Sequence, residues 1–153
     1  MKFFRLKENN PNVFCKAWVR SAQMSINIKK ATLLREDEDP ESNERFLSLW
    51  PYIENFVDKL ILEFHCDQTK VIDACQKLGA RHVLIKNFHT NFWDIFLGNL
   101  IQIMIDAHPE KEQKGLTDIC KKFFSFVVSY MRDGYKKRSQ EQLTCRRRMN
   151  VSK

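Results

Sequence analysis

Glycine and proline are scarce, four of each in 153 residues, which excludes an all-β sandwich with its need for a turn residue about every ten positions. The five cysteines, at 15, 66, 75, 120 and 145, are odd in number and contain no C-x-x-C pair, so neither a disulfide framework nor a zinc site is expected. Long apolar runs are missing as well. Nothing reaches the roughly 18 residues of a membrane span, and the Phe3-Phe4 pair near the start soon gives way to polar residues. There is no Ser-His-Asp order, no H-E-x-x-H, no phosphate loop and no dinucleotide fingerprint, which leaves hydrolase and nucleotide-binding readings without support. No repeat of about 20 to 50 residues is visible.

What is present is the composition of a globular chain, 43% apolar and 12% aromatic, long enough to bury one core without staples. With few turn residues and helical spacing throughout, the class is all-α. The net charge of +7 is uneven. Residues 1–135 carry 19 Lys and Arg against 18 Asp and Glu, whereas 136–153 carry 7 against 1. The basicity therefore belongs to a tail, in which Lys136-Lys137-Arg138 and Arg146-Arg147-Arg148 read as a solvated end able to touch an anionic surface. A nucleic-acid partner is not expected, and a reducing, cytoplasmic location suits the free thiols.

Along the chain, residues 1–10 are short and amphipathic, with Phe3, Phe4 and Leu6 ahead of the Asn9-Asn10-Pro11 break. Val13, Phe14, Ala17 and Trp18 recur at helical spacing within 12–20. From 21 to 39 the pattern weakens into a connection with one helical turn, closed by the acidic run Glu36-Asp37-Glu38-Asp39. Asp39-Pro40 predicts a helix start, since the Asp carboxylate accepts orphan N–H groups and Pro fits the first turn. The helix beginning there carries Phe46, Leu49, Trp50, Ile53, Phe56, Val57, Leu60 and Ile61 on one stripe. Pro51 removes one of its ladder bonds, so a kink or restart is expected near Leu49. Further helices are predicted over 68–79, with Val71, Ile72, Cys75 and Leu78 inward, and over 91–107, with Phe92, Ile95, Phe96, Leu100, Ile103 and Met104 inward. The last runs over 115–137 and buries Leu116, Ile119, Cys120, Phe123, Phe124, Val127, Val128 and Met131, with Gly134 in its late turns. The organisation expected is one domain over 1–137 and a basic tail over 138–153.

Three segments carry a family resemblance. Leu78-Gly79-Ala80-Arg81-His82 resembles the Leu-Gly-x-x-His segment with which globins supply the proximal haem histidine. Asn91-Phe92-Trp93-Asp94-Ile95-Phe96 resembles the start of that family's second-last helix, and the run from Phe126 to Tyr135 the end of its last. Over residues 40–137 the chain is similar to globins, in style to the divergent nematode globins and the neuroglobins. The resemblance implies a globin-like helical fold lacking the first helix and part of the second, with 1–20 a remnant of early helices and 21–39 a connection. It also implies haem b as cofactor, His82 as iron ligand, and a pocket lined by Trp18, Leu49, Ile53, Phe92 and Phe96. Trp18 stands for the family's stacking phenylalanine. Leu49 takes the distal position, where it has no hydrogen bond to give.

A neutral imidazole binds haem iron through one ring nitrogen and leaves the opposite face for a gas. His82 closes its helix, so a nearby backbone carbonyl is available to fix the tautomer through the other nitrogen. Arg81 and Lys86 flank it and suit a haem propionate, although a basic residue at a helix C-terminus also answers the dipole. His65, His89 and His108 lack that setting. The function implied is a haem-binding globin that binds oxygen or another diatomic gas in transport, storage or sensing. The same apolar residues equally serve as core, so the competing expectation is a globin-like helical module without haem, acting through protein contacts. An enzyme is not expected, because an apolar distal side lacks an acid or base for O–O cleavage.

Overall fold

The computed structural model describes residues 10–151, all of whose regular structure is helical. The amphipathic start expected over 1–10, with Phe3, Phe4 and Leu6, lies outside the described residues except for Asn10.

The chain enters α1 (Val13–Met24) through Asn12, whose φ of 66° puts it in the left-handed region that Asn tolerates better than most residues. Asn10 ties this entry to the far side of the fold, donating from Nδ2 to the Ile103 carbonyl at 3.2 Å while its Oδ1 accepts from Lys16 Nζ at 3.0 Å. Ser25 then caps α2 (Ile26–Ala31), its hydroxyl accepting from the Ile28 N–H at 3.3 Å. Asp39 does act as a cap, taking the Glu41 N–H at 3.1 Å, but the helix it starts is only a 3₁₀ turn over Pro40–Ser42. Asn43 caps a second short piece, α3 (Glu44–Leu47), through the Phe46 N–H at 2.8 Å.

The restart expected near Leu49 occurs there, with Leu49 at the N-cap and the new helix starting at Trp50. α4 (Trp50–Asp58) begins with Pro in its first turn, where the missing N–H costs nothing, and runs into a π-helical turn over Lys59–Glu63. Leu49 falls in the junction between α3 and α4, out of register with the helical stripe, and is 38% exposed rather than inward. After a tight turn in which His65 and Cys66 both take positive φ, Asp67 caps α5 (Gln68–His82) through the Lys70 N–H at 3.0 Å. α6 (Asn91–Asp106) and α7 (Glu110–Val151) complete the fold.

Length distinguishes α7 from expectation. It is one continuous helix of 42 residues, roughly 60 Å long, and does not end near Lys137. The physical reason is local. Residues 135–149 contain neither Gly nor Pro and are rich in Lys, Arg and Gln, so nothing in them stops a helix. Gly134, expected in the late turns, is mid-helix.

Packing follows from these lengths. α5 lies along α7, α1 crosses α6, α6 packs on α7, and α4 closes on α1. Phe14, Ala17, Val57, Phe96, Leu100, Met104, Cys120 and Phe124 form the cluster between α1, α4, α6 and α7. A second cluster joins Leu60, Val71, Cys75, Trp93, Val127, Val128 and Met131 under α5. A third, with Val19, Ala22, Ile28, Leu34, Phe46 and Phe92, holds α1, α2 and α3 against the start of α6. Within the last helix Ile119 is exposed rather than buried. No helix among the described residues is long and apolar enough to cross a membrane.

Candidate functional site

His82 is the last residue of α5, and its ring turns back along its own helix. Nδ1 lies 2.8 Å from the carbonyl oxygen of Leu78, four residues earlier. A carbonyl only accepts, so Nδ1 carries the proton and Nε2 keeps the lone pair. Two aromatic rings flank the imidazole, Phe88 at 4.9 Å and Trp93 at 5.2 Å between centroids, the latter edge-on at 79°. Burial among them holds the ring below the ordinary histidine range despite the opposing effect of the Leu78 bond. His82 is thereby a neutral imidazole of fixed tautomer at pH 7.

The partners are positioned by different elements. Trp93 comes from the first turn of α6, and Phe88 from the connection between α5 and α6, bent at Asn87 with φ 62°. Tyr135 of α7 closes the group, 5.8 Å from Phe88 and 6.2 Å from Trp93. The Trp93 indole N–H is buried here and meets no acceptor among the described residues. A donor left in that state is uncommon in a folded protein and marks a place where an acceptor is wanted.

The other residues expected to line the pocket fall into two groups. Trp18 stacks on Phe46 at 4.9 Å with 13° between the planes, donates its Nε1–H to the Phe46 carbonyl at 2.9 Å, and sets an edge against Phe96 at 6.1 Å. Ile53, half-buried on α4, packs on the cluster that contains Phe96. Phe92 is buried and meets Phe88 edge-on at 5.5 Å, which links it to His82. Phe88 thus links His82 to Phe92, Phe92 shares a cluster with Phe46 and Trp18, and Ile53 packs with Phe96 and Trp18. Leu49 belongs to neither cluster. Arg81 and Lys86 are exposed on either side of His82.

Phe88, Trp93 and Tyr135 went unassigned in the sequence. The crowding of aromatics at 88, 92, 93 and 96 was a signal for the first two. Tyr135 sits where no local pattern distinguishes it.

The donor set of the His82 wall fits a haem iron ligand: a neutral imidazole held between aromatic rings, with its remote nitrogen free and its near one anchored. Haem needs one protein ligand, so it is compatible with there being no cluster of three or more His, Cys, Asp or Glu among the described residues. Trp18 fits a pocket less well, because Phe46 occupies one of its faces. An open cleft of about 540 Å³ lies elsewhere, between α6 and α7 around Gly98, Ile101, Gln113 and Thr117. No family model matches the chain, and no curated protein or solved structure matches it either.

Proposed function

We propose that this chain is a globin-like haem protein that takes its iron ligand from His82 and binds a diatomic gas on the opposite side. The observation that carries the reading is the 2.8 Å bond from His82 Nδ1 to the Leu78 carbonyl. It fixes the tautomer and orientation of the ring and raises its basicity as a ligand. Bound haem supplies the iron at which a gas coordinates. The chain's part is to hold Nε2 deprotonated, exclude water with Phe88 and Trp93, and offer an apolar opposing side. Ile53 and Phe96 have no proton to donate or accept there, which favours reversible ligation over O–O cleavage.

Titration of the purified chain with haemin tests this. One equivalent is expected to produce a Soret band, with a further shift on reduction under carbon monoxide. His82→Gly should lose the band and regain it in added imidazole, which separates ligation from folding. A folded chain that takes up no haemin, or a His82→Gly variant with an unchanged spectrum, rejects the proposal.

One observation favours a second reading, a helical module without haem acting through protein contacts. The stack of Trp18 on Phe46 fills, with the protein's own side chain, space that a pocket would leave. On this reading the haem-free chain is a well-folded monomer whose melting temperature haemin does not raise. Haem binding at tens of Kd would raise it by linkage, since a ligand of the native state stabilises by about 2 kcal/mol or more under those conditions.

A further inference from the structure

Gly98 stands in the middle of α6, and a Cβ placed on it would meet nothing within 4 Å. Glycine is a poor helix former, and no contact among the described residues calls for it at this position. Gly79 and Gly134, by contrast, each leave room for a neighbouring backbone. With Ile101, Gln102 and Ile105 at i+3, i+4 and i+7, Gly98 makes one wall of the open cleft between α6 and α7. A glycine on the wall of an open cleft leaves room for a backbone from outside the chain.

The other wall belongs to α7 and is charged. Glu110, Lys114, Asp118 and Lys121 line it in alternating sign, over roughly 16 Å of helix axis. Charges at such spacing commonly close on their own helix, as Lys59 with Glu63 and Asp73 with Lys77 do at 3.8 and 2.7 Å. The four in the cleft make no ion pair among the described residues. Their order has a symmetry of its own. Counted outward from Leu116, Lys114 and Asp118 lie at equal distances, and Glu110 and Lys121 at nearly equal ones. Turning the column end for end therefore sets each acid opposite a base. Such a column complements a copy of itself laid antiparallel, whereas a parallel copy in register would oppose like charges.

We infer that a second copy of this chain fills the cleft, the two α7 helices lying antiparallel about a twofold axis at the level of Leu116, with each α7 packed on Gly98 of the other copy. Lys114 of each copy then faces Asp118 of the other, and Glu110 faces Lys121, so that one surface serves both sides of an isologous contact. Ile101, half-buried on α6, loses its remaining exposure to water in the same step. Helix stretches of this length make an interface at the small end, below about 1,200 Å², so the dimer is weak and the dilute chain is a monomer. A small molecule fits less well, because a cleft this open leaves much of it in water. The assembly involves neither His82 nor haem.

Sedimentation velocity of the full chain between roughly 5 and 500 µM, in about 50 mM salt, reads such an association. The sedimentation coefficient should rise with concentration toward that of a dimer, and rise less at about 500 mM salt, where exposed ion pairs are screened. Lys114→Glu and Asp118→Lys each oppose like charges at both symmetry-related places, and each should raise the dissociation constant at least about tenfold. Mixed in equal amounts, the two variants should associate with one another as the wild type does with itself, because each presents the charge that the other lacks. The double variant Lys114→Glu, Asp118→Lys should regain self-association. Gly98→Ala should weaken association about tenfold through overpacking, while the dilute variant keeps its helix content by circular dichroism. A chain that stays monomeric to the highest concentration overturns the inference, as does association that Lys114→Glu leaves unchanged. A mixture of the two single variants that stays monomeric overturns the antiparallel pairing. Association unaffected by Gly98→Ala overturns the seating of a helix in the cleft.

Discussion

Gly79 of α5 and Gly134 of α7 are reciprocal. A Cβ on Gly79 would fall on the backbone carbonyl of Met131, and a Cβ on Gly134 on that of Gln76. Each glycine thus faces the turn preceding the other, and the two helices touch backbone to backbone where they cross. This crossing fixes the last turn of α5, and so the place of His82, against Trp93. Ala at either position cannot be absorbed by moving a flexible side chain, because the obstructing atoms are backbone. Gly79→Ala and Gly134→Ala are each expected to lower stability by about 3 kcal/mol, at the top of the range for overpacking. A methyl on Gly98 or Gly115 would meet open space, and both residues lie in helices. Ala there should stabilise by up to about 1 kcal/mol. Urea denaturation of the four variants checks both signs.

The crossing of α1 on α6 contains a buried polar pair. Ser21 donates to the Ala17 carbonyl at 2.6 Å, and its oxygen accepts from Asn99 Nδ2 at 3.1 Å, with Ser21 fully buried and Asn99 nearly so. Ser21→Ala strands the Asn99 amide away from water. The expected cost is about 1–3 kcal/mol, the desolvation of an unsatisfied buried donor. Replacing both partners, with Leu at 99, removes that penalty. The double variant should therefore be more stable than the sum of the single effects by about 1 kcal/mol or more in a denaturation cycle.

All five thiols are unpaired, but their surroundings differ. Burial pushes the Cys75 thiol up to about 12 and raises Cys120 as well, while Cys66 and Cys145 are exposed. Alkylation requires thiolate and access. Iodoacetamide at about pH 8 should label Cys66 and Cys145 in the folded chain and Cys75 and Cys120 at least about a hundredfold more slowly, a difference that denaturation removes. Peptide mass spectrometry over a time course reads this directly.

Helix positions were legible where cap and period agreed. The spacing of Val71, Cys75 and Leu78 places α5, and Asn91 and the His108-Pro109 step bracket α6, so both lie within a few residues of expectation. Elsewhere one residue type serves two physical ends. Gly134 is as suited to terminating a helix as to letting another backbone approach, and only the partner at Gln76 decides which. Trp93 is buried beside Phe92 because α6 packs on both α1 and α7, and a single-stripe pattern has no place for a helix covered on two sides. The place of His82 at the end of its helix was legible from its segment, but its contact with Phe88 was not. Phe88 reaches the imidazole from a bent connection, where no spacing rule relates sequence to direction.

The imidazole of His82 carries a stability signature that is independent of any ligand. Burial lowers its affinity for a proton in the folded state below the ordinary value of 6.5. The unfolded chain therefore binds more protons in the interval between the two values, and stability rises with pH there. Above about pH 6.5 both states are neutral at this position and the contribution is flat. As pH falls from 6.5 through the depressed folded value, stability is lost, and the loss levels off once the folded state is protonated as well. His82→Gln, which cannot take up the proton, should flatten this part of the profile. The difference in unfolding free energy between wild type and His82→Gln, measured by urea denaturation from about pH 7.5 down to 4.5, is expected to change across that window and nowhere else. A difference that does not vary with pH would mean that water reaches the ring, and that Phe88 and Trp93 do not enclose it.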